Sequence, residues 1–109
     1  MCIRDRNKDV YEKTGKVLID GVLNGRNGTV FAYGATGSGK THTMVGDERD
    51  PGMMLLSLAD IFDGVRRHGE RYAYDVSCSY LEVYNELIYD LLGGDSRDSR
   101  DHDLSLIHI

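Results

Sequence analysis

TVFAYGATGSGKT, residues 29–41, is the stretch of sequence that decides the fold. Its first part, Thr29–Tyr33, is β-branched, apolar and aromatic, which predicts a buried strand. The glycine-rich part, Gly34–Gly39, predicts a loop, and a helix is expected to begin near Lys40. A strand, a glycine-rich loop and a helix in this order are typical of an α/β fold.

The loop matches the phosphate-binding pattern G-x-x-x-x-G-K-[ST]. Its glycines let the backbone curl so that successive N–H groups point at phosphate oxygens, and the helix that follows adds its positive end. Lys40 is then expected to reach the β and γ phosphates of a nucleotide as the catalytic residue, while Thr41 offers its hydroxyl to Mg²⁺ as the metal ligand. The predicted nucleotide-binding residues are Gly34, Ala35, Thr36, Gly37, Ser38, Gly39, Lys40 and Thr41. The alternative is a glycine-rich turn without a ligand.

Helical periodicity surrounds this core stretch. A capping-box spacing from Asp9 to Glu12 and a recurring apolar face predict a helix over 10–23. The helix after the loop is expected to break at the acidic turn 46–51 and to resume over 53–67. On the residues alone, His42 is expected to be exposed on the first turn after the loop.

The second half of the chain changes to a period of two. Alternation over Tyr72–Leu81 predicts a long strand, and the apolar residues within Tyr84–Leu92 predict a short amphipathic helix. From Gly93 onward the sequence is glycine, serine and charge, so residues 95–109 are expected to form a disordered tail.

Composition limits the function. The 109 residues carry a net charge of −5 and no basic block, which argues against nucleic acid or anionic lipid as a partner. The apolar runs are too short for a membrane span or a signal peptide. Cys2 and Cys78 are too few for a zinc site or a disulfide framework, and free thiols suit a reducing compartment.

Both ends differ from the patterns beside them. MCIRDR, residues 1–6, and LSLIHI, residues 104–109, resemble translated adapter sequence, so both are expected to be non-native flanks. The alternative is a natural tail and a natural strand cut short.

Two separated blocks, GTVFAYGATGSGKTHTM at 28–44 and SYLEVYNELIYDLL at 79–92, resemble the kinesin motor domain. The resemblance covers residues 7–94, read as a partial motor domain with the P-loop NTPase fold of that family. It implies that His42 stacks beside the adenine and that residues 45–51 interrupt the helix after the phosphate loop. Ala35 stands where most of the family has glutamine, and GATG followed by SYLEVYNE is most similar to the kinesin-eight subfamily.

The resemblance also implies what the parent protein does. It is expected to hydrolyse ATP and to move along microtubules in the cytoplasm, as part of the cytoskeleton. The resemblance is compatible with a dimeric parent protein. The family's first strand is expected upstream of residue 7 and both switch segments downstream of residue 95. The fragment alone is therefore expected to be inactive, with most of the tubulin-binding surface outside it. A small-molecule or nucleoside kinase with the same loop, and a piece without activity, are the alternatives.

Overall fold

The computed structural model describes residues 6–92 and 107–108. The helices are α1 Asn7–Thr14, α2 Lys16–Leu23, α3 Lys40–Met44 and α4 Met53–His68. The strands are β1 Ser77–Cys78, β2 Leu81–Tyr84, β3 Leu87–Asp90 and β4 Ile107–His108. Both element types are thus present, consistent with the predicted α/β class. The helices belong to a first compact unit that ends at Tyr72, and the strands to a second that begins at Ala73.

The predicted helix over 10–23 starts three residues early and is divided into α1 and α2 at Gly15. Gly15 keeps right-handed helical angles, and its N–H donates to the Tyr11 carbonyl at 2.9 Å. A Cβ built at this position would lie 2.8 Å from both the Tyr11 ring and Met53 Cε. The missing side chain therefore lets the start of α4 approach this junction.

A small apolar core joins α1, α2 and α4. Tyr11, Ile19 and Met53 are buried at its centre, and Leu23, Met44, Leu56 and Ile61 pack against them. The apolar face predicted for the first helix is wrong, because none of its members lies in this core: Val10, Thr14, Val17, Leu18, Gly21 and Val22. Of the face predicted for residues 53–67, only Ile61 packs against the core. Tyr11, Ile19 and Leu23 are spaced by four and eight residues and so share a different helical face, while Val17 is 70% exposed.

The strand predicted over Thr29–Tyr33 is absent, and this expectation is wrong for the described chain. These residues have no regular structure, with Phe31 82% and Tyr33 95% exposed. Strand geometry needs a hydrogen-bonded neighbour, and none of the described strands pairs with this segment. The apolar side chains of this segment are therefore not buried by the described residues.

The interrupted helix is confirmed. α3 begins at Lys40, and α4 covers the predicted 53–67 with one additional residue. Between them Gly46 bridges to Pro51, and the Gly52 N–H donates to the Val45 carbonyl at 3.1 Å. Residues 46–51 are therefore a closed turn.

The helix predicted within Tyr84–Leu92 is wrong. β2 and β3 form an antiparallel hairpin in which Tyr84 pairs with Leu87 across the turn Asn85-Glu86. Both turn residues have positive φ, 49° and 63°, as the tight hairpin turn requires. The spacing of the leucines imitated a helical face, whereas the residues around the turn are good strand formers.

The long strand predicted over Tyr72–Leu81 is reduced to β1 and the first residue of β2. β1 pairs antiparallel with β4, Ser77 opposite His108 and Cys78 opposite Ile107. Ile107 and His108 are thus a strand, whereas disorder was expected there. The rest of the predicted tail, like residues 1–5 of the first flank, lies outside the described residues. None of the helices in the described part of the chain is long and apolar enough to cross a membrane.

Candidate nucleotide site

The glycine-rich loop lies directly before α3, as predicted. Gly37 and Gly39 have φ of 83° and 99°, the left-handed region that side chains disfavour. A Cβ at either position would meet nothing within 4 Å, so backbone angle rather than crowding selects glycine here. The Ser38 N–H donates to the Ala35 carbonyl at 3.0 Å and closes a turn around Thr36 and Gly37.

The two ends of the loop approach each other at Gly34. A Cβ built on Gly34 would lie 2.5 Å from Ser38 Oγ and 3.9 Å from Lys40 Cγ. The absent side chain leaves room for the Ser38 hydroxyl and the stem of Lys40. The loop therefore folds back on itself, with Gly34 close to Ser38 and Lys40.

Lys40, Thr41 and His42 occupy the first turn of α3. Lys40 is half-buried, while Thr41 and the loop residues Ala35–Gly39 are exposed. The sequence-predicted site residues thus form one continuous, accessible segment with its lysine at the junction of loop and helix. In the described part of the chain, no group of three or more His, Cys, Asp or Glu side chains is placed to hold a metal ion.

Sequence reasoning missed two residues beside this segment. His42 Nε2 lies 3.1 Å from Asp50 Oδ2, and the backbone N–H of Asn7 donates to Asp50 Oδ1 at 3.1 Å. The side-chain amide of Asn7, a residue only 3% exposed, donates to the His42 carbonyl at 2.7 Å and to the Asp50 carbonyl at 3.2 Å. Asn7 and Asp50 are 43 positions apart, so no local pattern could have paired them.

The closed turn that carries Asp50 has its own side-chain support. Asp47 Oδ1 accepts hydrogen bonds from the Arg49 N–H at 2.9 Å and the Asp50 N–H at 2.8 Å. This is the local side-chain to backbone bonding by which aspartate stabilises turns. Asp50 thus lies beside His42 in a turn that is stabilised by hydrogen bonds within the six residues 46–51.

Comparison with known proteins identifies relatives over most of the chain. The family profile described as Kinesin motor domain matches residues 2–108. Kinesin-like protein KIN-8B of Arabidopsis thaliana is 58% identical over 86 residues, which are 79% of this chain and 10% of that protein. Kinesin-like protein KIN-8A of Oryza sativa subsp. japonica is 52% identical over 77% of the chain and 11% of its own length. Kinesin-like protein KIF19 of Homo sapiens is 52% identical over 76% of the chain and 8% of its own length.

These matches confirm the resemblance drawn from the two sequence blocks, including its similarity to kinesin-eight proteins. All three relatives are named as kinesin-like proteins and none as a small-molecule kinase. The chain spans about a tenth of the length of the curated relatives it matches.

Proposed function

Because the chain belongs to the kinesin motor domain family, we propose that the protein containing it is a microtubule motor driven by ATP hydrolysis. The observation that carries this proposal is the curled loop Gly34–Gly39, followed at once by Lys40 and Thr41 on α3. The order of loop and helix supports a phosphate site, and the family supports the coupling of that site to microtubules. The same membership supports the P-loop NTPase fold for the complete motor domain.

Each loop residue has a role that follows from its chemistry. Gly37 and Gly39 have positive φ, a backbone conformation that allows a loop to curl so that its N–H groups donate to phosphate oxygens. Lys40 brings a positive charge to the β and γ phosphates, which lowers the cost of the charge that develops during phosphoryl transfer. The Thr41 hydroxyl would hold Mg²⁺, which supplies further charge neutralisation when bound.

His42 is proposed to contact the base of the nucleotide. Its side chain is 54% exposed in the first turn of α3, so about half of its surface is accessible to a ligand. Stacking of an aromatic ring on the adenine is worth on the order of 1 kcal/mol. His42→Ala in the complete motor domain is expected to weaken ADP binding, and equal affinity in variant and parent would contradict the contact.

The experiment that tests the function is Lys40→Ala in the complete parent protein. Microtubule-stimulated phosphate release is expected to be lost, because the substitution removes the positive charge that Lys40 would place beside the transferring phosphate. Lys13→Ala removes the same charge from an exposed position in the last turn of α1 and serves as the matched control. Unchanged phosphate release in Lys40→Ala would overturn the assignment.

Membership of the family also supports movement along microtubules and a location in the cytoskeleton for the parent protein. Microtubules are the proposed partner, with contacts mostly outside this chain, and the cytoplasmic cytoskeleton is the proposed location of the parent. Gliding of microtubules over surface-bound parent protein in the presence of ATP is the expected result. Immobile microtubules with an active ATPase would contradict the motor function while leaving the nucleotide site in place.

A further inference from the structure

A single carboxylate, that of Asp50, connects three separate parts of the first unit. Its Oδ1 accepts from the Asn7 N–H at the start of α1, and its Oδ2 contacts His42 Nε2 on α3, both at 3.1 Å. Asp50 itself belongs to the closed turn 46–51. From this geometry we propose that Asp50 is a positioning residue for nucleotide binding, which fixes the His42 imidazole for contact with the base.

The start of α1 explains why Asp50 is itself held in place. The first N–H groups of a helix have no partner inside the helix, and at α1 the preceding residue, Arg6, makes no side-chain cap. Asp50 supplies that cap from a distant part of the chain. A carboxylate bonded to a backbone N–H near a helix N-terminus is favourably placed, so its second oxygen is left at a defined position for His42.

Asn7 closes the arrangement from the other side. Its buried side-chain amide bonds the backbone carbonyls of both His42 and Asp50, so the two residues are fixed relative to each other at main chain and side chain. The side chain of Asp50 is only 25% exposed, whereas that of His42 is 54% exposed. One edge of the imidazole is therefore held by protein while the rest of the ring remains available.

This inference rests on the proposed function, because it assigns Asp50 a role through His42 at the same nucleotide site. It separates the site into two parts. The loop and Lys40 bind phosphate, whereas His42, held in position by Asp50, contacts the base. A change at Asp50 should then affect ligands that carry a base and spare ligands that do not.

The test uses the complete motor domain with Mg²⁺, and compares the dissociation constants of ADP and of inorganic pyrophosphate. Asp50→Ala is expected to raise the dissociation constant of ADP about fivefold, the effect of one lost hydrogen bond. The dissociation constant of pyrophosphate is expected to stay within about twofold of the parent's. Glu48→Ala removes an equal charge from an exposed position of the same turn and is expected to change neither constant.

Asp50→Asn separates positioning from charge. The amide keeps an oxygen for the Asn7 N–H and an NH₂ group that can donate to unprotonated His42 Nε2, so ADP affinity is expected to return to within about twofold of the parent. In a His42→Ala background, Asp50→Ala is expected to add no further loss of ADP affinity, because the group that it positions is absent.

Three results would overturn the role of Asp50: equal weakening of ADP and pyrophosphate by Asp50→Ala, no weakening of either, or an undiminished effect in the His42→Ala background. Retained pyrophosphate binding shows that a variant is folded. If Asp50→Ala loses it, Asp50→Ser takes its place in the same comparison, because a single hydroxyl oxygen cannot replace both carboxylate oxygens that contact the Asn7 N–H and His42 Nε2. Lys40→Ala distinguishes a failure of the role of Asp50 from a failure of the proposed nucleotide site. If it leaves pyrophosphate affinity unchanged, the proposed nucleotide site itself fails.

Discussion

The Tyr11 hydroxyl donates a hydrogen bond to Asp60 Oδ2 at 2.5 Å and thereby joins α1 to α4 across the core. Tyr11 is 4% exposed and its ring packs with Ile19 and Met53, so one residue provides both apolar contact and a polar tie. Buried tyrosines commonly satisfy their hydroxyl in this way. The bond thus connects α1 to α4, the helix that follows the closed turn carrying Asp50.

Tyr11→Phe tests the worth of this bond. The substitution keeps the ring and leaves the Asp60 carboxylate without its donor, so the free energy of unfolding of the complete motor domain is expected to fall by about 1–2 kcal/mol. Chemical denaturation at pH 7 measures it. Tyr84→Phe makes the same change at a residue that is 62% exposed, and is expected to have little effect. Equal stability of Tyr11→Phe and the parent would show that the bond contributes nothing.

Stability at high pH should depend on the same tyrosine. Burial, the hydrogen bond to Asp60 and the negative charges of Asp60 and Asp20 all raise the pKa of Tyr11 well above its usual value. The folded state therefore retains a proton that the unfolded state loses above about pH 10, and the stabilisation is complete below that pH. Above it, Tyr11 contributes a decrease in unfolding free energy of up to about 1.4 kcal/mol per pH unit. Denaturation series from pH 9 to 11 should show a shallower decrease in Tyr11→Phe than in the parent; parallel curves would contradict the shifted pKa.

Replacement by alanine is expected to have opposite effects on stability at Gly15, between α1 and α2, and at Gly21, inside α2. Gly15→Ala places a Cβ 2.8 Å from the Tyr11 ring and from Met53 Cε, and the rigid ring has to move, which is expected to cost about 1–3 kcal/mol of stability. Gly21→Ala, in the interior of α2, places its Cβ 3.9 Å from the Arg26 side chain, an ordinary contact distance. The better helix propensity of alanine should therefore stabilise the protein by about 0.5–1 kcal/mol. Thermal unfolding of the two variants compares them directly. A stabilised Gly15→Ala would show that the core has room at this junction.

Local patterns predicted the parts of the fold that depend on local interactions. The helix over 53–67 and the break at 46–51 follow from apolar periodicity and from glycine and proline, which act within a few residues. The phosphate loop was located because its glycines require particular backbone angles, and Gly37 and Gly39 have them. Periodicity failed at the hairpin of β2 and β3, where Leu87 and Ile88 fit a helical face and a strand equally well.

Interactions between distant residues could not be read in the same way. The strand at Thr29–Tyr33 depends on partners that an apolar pattern implies but does not supply. The contacts of Asn7 and Tyr11 with Asp50 and Asp60 join residues more than 40 positions apart. Their residue types are ordinary for helices and turns, so the sequence offered no signal for them.

The apolar segment Thr29–Tyr33 predicts the behaviour of the 109-residue chain in isolation. Phe31 and Tyr33 are 82% and 95% exposed, and Val30 is 41% exposed, so adjacent large side chains face solvent on a backbone without strand partners. Such segments pair with other chains. The buried core, by contrast, is limited to Tyr11, Ile19 and Met53 among the described apolar residues, which leaves little stability to oppose association.

We therefore expect the isolated chain to self-associate, to melt without a cooperative transition and to release no phosphate from ATP with or without microtubules. Phe31→Asp should shift sedimentation toward monomer, because a charge within the segment opposes pairing. Val17→Asp adds the same charge at a residue of α2 that is 70% exposed, and should leave the association unchanged. Equal sedimentation of the two variants would place the contact elsewhere in the chain. A monomeric parent chain with a cooperative melt and microtubule-stimulated phosphate release would show instead that these residues suffice for a folded, active unit.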